Sequence, residues 1–490
     1  MKILATSLMF AATLAAAVAQ TNASAPRALS LADCVTEALK HNFDVQVERY
    51  NPQISLYDLH AAYGGYDPLF SISGTHGHNN SGPEGFPPSI SDDNSFNSGL
   101  AGATPWGMTY NLAGNIAENY GFNSVSNLFD SSGGRAGASL TQPLLKNFWV
   151  DGNRVSISVA KNRLKFSEQG LRLQLIATVT AVEVAFYELI YARENVQVQQ
   201  EALGLAQTQL DQDKQRVQVG SLAPLDVQQD EAQLAQSRAN LIAAQFNLAT
   251  SQNTLKNLIT DAYLQWHDMD IEPTATLAAV RQFFDVQDSW SQGMTLRPDL
   301  QEAKLNVEQQ GIQLKYERNQ LFPQLDLVGS YGFNGEARGF SGAFGQFEQA
   351  DRPYYSYGAQ LSVPLSNVRA RNSYQSGKAN EQQILLRLKQ LEQNVMVQID
   401  NAVKQAQSAW ESVDATKQAR IYAEAALDAE QKKYSVGKST TFTVLQLQNN
   451  LTAARSQEIR ALANYNEALS NLAQQEGSTL KRRNLDVLVK

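Results

Sequence analysis

The chain has 490 residues, and 48 acidic against 40 basic side chains give it a net charge of −8. An acidic chain without basic clusters is a poor partner for nucleic acid, and its single cysteine, Cys34, excludes an internal disulfide and any Cys-based zinc site. A mean hydropathy of −0.34 excludes a polytopic helical membrane protein, though not a β-barrel, whose strands alternate and average to mild hydropathy.

Residues 1–19 read as a secretory signal peptide. Lys2 is the short positive start, Leu8–Ala19 the apolar run and Ala17-Val18-Ala19 a small-x-small cleavage site. No cysteine follows for a lipid anchor. No later run approaches the ~20 apolar residues of a transmembrane helix, so an exported chain can enter a membrane only as strands.

The remainder is written twice. Asn42-Phe43-Asp44-Val45 aligns with Arg297-Pro298-Asp299-Leu300, and Tyr66-Asp67-Pro68-Leu69 with Leu321-Phe322-Pro323-Gln324. Farther on, Gln142-Pro143 aligns with Val363-Pro364, and Arg216–Gly220 with Lys433–Gly437. The landmarks keep their order, as an internal duplication requires. The first repeat, 20–260, reads as a short helix, strands about 68–143, a long helix 153–218 and a return helix 222–260. An inter-repeat segment covers 261–297. The second repeat, 298–476, reads as a short helix, strands about 324–365, a long helix 367–435 and a return helix 440–476, before a tail at 477–490. Each long helix would span about 100 Å at 1.5 Å per residue. Leu171, Leu175, Thr178 and Val182, and Ile384, Leu388, Leu391, Val395 and Gln398, form narrow stripes suited to helix pairing and not to deep burial. Gly220 and Gly437 sit where a helix stop is expected.

Alternation marks strands in Met108–Ile116, Leu325–Phe333 and Tyr357–Leu365, apolar or aromatic on one face and small or polar on the other. That is the pattern of a water-filled barrel, shared with a soluble sandwich wet on one face. The Gly-, Ser- and Asn-rich stretches 74–98, 120–135 and 332–353 read as loops. One chain has too few strands to close a wide barrel alone.

From Leu29 to Leu480 the chain resembles the TolC family of outer-membrane efflux and secretion channels. The resemblance is most specific at Arg216–Val227 and Tyr434–Leu445, and in the prolines Pro68, Pro143, Pro323 and Pro364 that mark helix–barrel junctions. It implies a mainly α fold with a membrane β-barrel: a homotrimer whose strands share one barrel in outer-membrane lipid and whose helices form an α-barrel in the periplasm. A periplasmic adaptor protein and an inner-membrane pump would engage the helical end, making the chain the passive exit of a tripartite efflux pump or type I secretion system, without a cofactor. It also implies an adaptor-docking tip at Arg216, Val219, Gly220, Ser221, Val436, Gly437 and Lys438.

A periplasmic gate is implied at Asp226 and Tyr434. There the chain departs from the family: the arginine partner is replaced by Ser439, and the acidic ring falls on the neutral Thr443 and Gln446. Only Asp226 or Asp230 would remain to supply negative charge, and weak cation selectivity is expected. The family pattern gives four strands per chain and twelve per trimer; a further hairpin through 95–103 and 107–119 would give six and eighteen. Four is the expectation.

Gly437-Lys438-Ser439-Thr440 mimics the end of a phosphate loop, but Lys432 stands where its first glycine belongs. Gly339, Gly342 and Gly345 do not form a dinucleotide fingerprint, and His76 and His78 lack a third ligand. Enzyme is the weakest class. The rival reading is an exported periplasmic coiled-coil adaptor or structural protein, which leaves the paired strand segments unexplained.

Overall fold

A computed structural model describes residues 27–122 and 128–485; the expected signal peptide lies outside them. In chain order the elements are β1 (Arg27–Leu29), α1 (Leu31–His41), α2 (Phe43–Glu48), α3 (Tyr50–Tyr63), β2 (Leu69–Ser81), β3 (Ser89–Ala103), β4 (Thr109–Phe122), β5 (Leu128–Pro143), α4 (Gly152–Gln218), α5 (Pro224–Ile259), α6 (Tyr263–Trp266), β6 (Ile271–Pro273), α7 (Val286–Leu296), α8 (Pro298–Asn319), β7 (Gln324–Ala337), α9 (Phe340–Gln349), β8 (Pro353–Ser362), α10 (Val368–Ser435), α11 (Thr441–Glu476) and α12 (Thr479–Arg482). They divide into two units, one comprising 43–180, 282–407 and the chain beyond 469, the other the remainder.

The first unit holds a six-stranded antiparallel sheet in the order β2-β3-β4-β5-β7-β8. This replaces the expected four strands: most of the expected loop 74–98 and the described parts of 120–135 are strand, and 332–353 holds the end of β7 and then α9. The reason is chemical. Near the β2–β3 turn both faces carry Ser, Asn, Gly and His, so no apolar alternation betrays the strands. Their side chains instead pair across the ladder. Thr75 and Ser95 hydroxyls lie 2.6 Å apart, His76 Nδ1 is 2.8 Å from Asn94, and His78 Nδ1 is 2.6 Å from Asp92. The two histidines are thus placed in cross-strand pairs.

Register gives the sheet two unlike faces. One row across all six strands is Phe70, Leu100, Leu112, Ala138, Tyr331 and Tyr355. The next row, on the opposite face, is Ser71, Gly99, Ala113, Gly137, Gly332 and Tyr354, followed on that face by Ser73, Asn97, Asn115, Arg135 and Asn334. A side chain at Gly137 or Gly332 would collide with the ring of Tyr354, which lies across both. Of the junction prolines, Pro143 ends β5, Pro68 and Pro323 immediately precede β2 and β7, and Pro364 lies between β8 and α10. Proline fits there because it cannot donate within a ladder.

The helical core of this unit joins Leu300 of α8, Val395, Ile399, Ala402 and Val403 of α10, and Leu472 of α11, with Trp290 and Met294 of α7 packed on it. The α10 stripe therefore runs through Ile399, and the expected Gln398 is exposed and accepts from Arg297. Helix α7 stands to α8 as α1 stands to α2, at the same spacing that relates Asn42 to Arg297. Both α1 and α7 have 11 residues and a side-chain N-cap, Ser30 and Asp285. The duplicated pattern thus includes a helix inside the stretch expected to separate the repeats.

In the second unit β1 and β6 pair in parallel, and Arg193 of α4 reaches the Ile271 carbonyl at 3.2 Å and Glu272 at 2.8 Å. Burial pushes the Cys34 thiol up to about 12, which makes it an inert apolar filler. Polar contacts join α4 to α11: Arg460 to Glu188, Arg455 to Glu201 at 2.8 Å, and Ser456 to Asn195 at 2.8 Å.

Burial on α4 is deeper than pairing alone would give. Val179, Val182, Phe186 and Leu189 are fully enclosed. An 18-residue stretch of α4 is apolar enough by composition to cross a membrane, and about two-thirds of it is buried in protein.

Candidate functional site

Two turns carry the sequence-predicted tip. At the first, Ser221 N–H donates to the Arg216 carbonyl at 2.9 Å and Gly220 N–H to Val217 at 3.0 Å. At the second, Lys438 N–H donates to Lys433 at 2.9 Å and Gly437 N–H to Tyr434 at 3.1 Å. This double bond closes a helix around a left-handed residue. Gly220 and Gly437 occupy that residue at φ +73° and +76°, a region costly for residues with a Cβ. Open space surrounds both glycines. Val219 and Val436 project beside them, 79% and 67% exposed. The turns therefore present small backbone and two apolar side chains to solvent.

Behind the turns lies a buried polar cluster. The Tyr434 hydroxyl donates to Asp213, 2.8 Å from either carboxylate oxygen, and the Thr441 hydroxyl is 2.8 Å from the same phenol oxygen. Arg216 lies over the Tyr434 ring at 4.4 Å and 3.6 Å from Asp213. Gln209 donates to Asp213 at 2.7 Å. Burial and then the Asp213 carboxylate raise the phenol's pKa above its ordinary value, with Thr441 opposing.

Of the expected gate residues, Tyr434 is held by Asp213, and Asp226 begins α5 half-buried. Ser439 donates to Glu430 at 2.6 Å; this bond and Lys433 keep the Glu430 carboxyl below its ordinary value. The Thr440 hydroxyl caps α11 by accepting from Thr443 N–H at 3.3 Å. Gln446 is exposed and lines a groove with Gln229, Gln233, Phe442 and Asn449. Gln233 and Asn449 close the groove with reciprocal amide bonds of 2.7 and 3.0 Å.

Sequence reasoning missed Asp213 and gave Asp230 only as a source of negative charge at the gate, whereas its side chain is buried. A signal for the latter exists: Asp230, Ser237 and Ala244 recur every seven residues on α5, and all three are buried. Among the described residues no cluster of three or more His, Cys, Asp or Glu side chains is arranged to hold a metal.

Residues 113–260 and 291–478 match the family described as outer membrane efflux protein. The outer membrane protein TolC of Escherichia coli is 26% identical over 284 residues, covering 55% of this chain and 54% of that protein. The pyoverdine export outer membrane protein OpmQ of Pseudomonas aeruginosa is 23% identical, covering 66% of each. The chain thus spans about half the length of the TolC protein it matches. Among solved structures, the CmeC outer membrane channel of Campylobacter jejuni superposes with a TM-score of 0.68 at 15% identity, over 94% of this chain and 90% of that one. The VceC outer membrane protein of Vibrio cholerae gives 0.68 at 16% identity, over 91% and 96%. These structures share the fold.

Proposed function

The chain belongs to the outer membrane efflux protein family, and on that premise we propose that it is the outer-membrane exit channel of a tripartite export system. Three copies close their sheets into one barrel of eighteen strands. The observation that carries this reading is the six-strand register, with an unbroken apolar row on one face and Ser, Gly and Asn on the other. The apolar row faces lipid and the polar rows line water, the arrangement of a membrane barrel. Barrels of sixteen to eighteen strands leave an aqueous channel.

Two features support closure by further copies of the chain. Among the described residues, β2 and β8 each have one edge unpaired in the sheet order. Phe43, Val47, Tyr50, Ile54 and Tyr57 form an exposed apolar stripe at helical spacing along α2 and α3, which a neighbouring copy would cover. The chain conducts passively, and a partner pump supplies the energy. The turns at Val219-Gly220 and Val436-Gly437 meet a periplasmic adaptor, whose hairpin packs against their exposed backbone. Neutral Thr443 and Gln446 leave the periplasmic mouth weakly cation-selective.

Paired arginine substitutions test the barrel. Leu112→Arg, in the apolar row, is expected to cost about 2–4 kcal/mol if it lies near the bilayer midplane and to lower the yield of heat-modifiable trimers in outer-membrane fractions. Asn97→Arg, in the polar row, is expected to leave assembly intact and alter conductance. Equal tolerance at both positions, or recovery of the wild type as a soluble periplasmic protein, would overturn the reading in favour of an exported coiled-coil protein.

A further inference from the structure

We propose that the turn end of the helical unit is fastened by a proton held between Asp213 of α4 and Asp230 of α5, so that the fastened state binds one proton more than the released state. This rests on reading that end as the periplasmic gate.

The geometry is unequal. Asp213 is fully buried and Asp230 is 1% exposed. Asp213 receives Tyr434, Gln209 and Arg216, and the Thr441 hydroxyl approaches it at 3.4 Å. Among the described residues no donor bonds either oxygen of Asp230. Its neighbour within hydrogen-bonding reach is the Asp213 carboxyl, and two carboxyls form that bond only when one carries a proton.

The surrounding charges do not relieve it. α4 brings Asp213 and Arg216, and the guanidinium is committed to Asp213 and the Tyr434 ring. α5 adds Asp226, a second negative charge. Lys214 of α4 pairs with Glu231 of α5 at 3.3 Å, where both are exposed. α10 contributes the Tyr434 phenol, and α11 the uncharged Thr441.

Burial first, then repulsion from Asp213 and Asp226, push the Asp230 carboxyl up from 3.8 to about 7. The sign follows from linkage. A released tip returns Asp230 to its ordinary value. The fastened state is therefore favoured most strongly below pH 3.8, loses ground as pH rises to about 7, and changes no further above it. Within that window each pH unit raises the ratio of released to fastened tips by up to about tenfold.

The test is hydrogen exchange of the assembled protein in detergent at pH 5 and pH 7, corrected for intrinsic exchange and read at the ends of α4 and α10. The wild type is expected to lose protection on the order of a hundredfold across those two units, while Asp230→Asn, which keeps the shape and removes the titration, stays equally protected at both. Infrared spectra of the wild type at pH 5 should contain a protonated carboxyl band that Asp230→Asn lacks. A wild type with pH-independent protection, or an Asp230→Asn variant that keeps the pH dependence, overturns the proposal. If protection follows pH while bilayer conductance does not, the proton fastening stands and the gate reading beneath it falls.

Discussion

The two helix turns are copies in backbone and opposites in chemistry. Gly220 and Gly437 close their helices with the same pair of bonds at nearly the same φ, and α5 and α11 both have 36 residues. Yet the counterpart of Asp213 in the second repeat is Glu430, a part-buried carboxylate satisfied by Ser439 and Lys433. The counterpart of Asp230 is Leu447, which packs on the apolar cluster of Leu427, Tyr434, Val444 and Leu451. A duplicated backbone persists because a glycine and a double carbonyl cap define it. Side chains behind the cap differ between the repeats, and the first repeat alone places two buried aspartates there, Asp213 and Asp230.

Four substitutions sharpen that contrast. The largest effect is expected from Asp213→Ala, which strips Tyr434, Gln209 and Arg216 of a shared buried partner and should cost about 3 kcal/mol in thermal or denaturant unfolding. A smaller effect should be the same in both repeats. Gly220→Ala and Gly437→Ala each force a Cβ into the left-handed region, at about 1–2 kcal/mol apiece, seen as lost exchange protection in the preceding helical turn. Bulkier residues at both glycines should also abolish export while trimers persist. The smallest shift of the unfolding midpoint belongs to Glu430→Ala, because its partners Ser439 and Lys433 sit near the surface and can turn to water. A cost at Glu430 equal to that at Asp213 would erase the asymmetry.

Legibility followed the same division. Gly220, Gly437 and the junction prolines announce helix ends because their backbone restrictions are written in residue type. Tyr355, Tyr357, Leu325 and Leu327 alternate with small residues, and their strands are readable. The strand Leu69–Ser81 and much of Ser89–Ala103 were hidden, since Ser, Asn and Gly on both faces imitate loop composition and are held by a ladder that leaves no local signature. α9 was hidden for a related reason: its Gly339 and Gly342 suggested a turn, whereas a side chain at Gly342 would meet Ala337 of the sheet beneath. The partner of Tyr434 could not be read, because Asp213 looks like any solvated helix carboxylate until four helices converge on it. Asp230 alone left a trace, in its seven-residue spacing with Ser237 and Ala244.

The most direct test of the account is electron microscopy of the protein reconstituted in lipid nanodiscs, at a resolution that counts strands. The account predicts threefold particles with eighteen lipid-embedded strands, β2 of each copy paired with β8 of the next and Leu112 turned toward lipid. Twelve membrane strands with β3 and β4 excluded, or particles without lipid around the sheet, would contradict it.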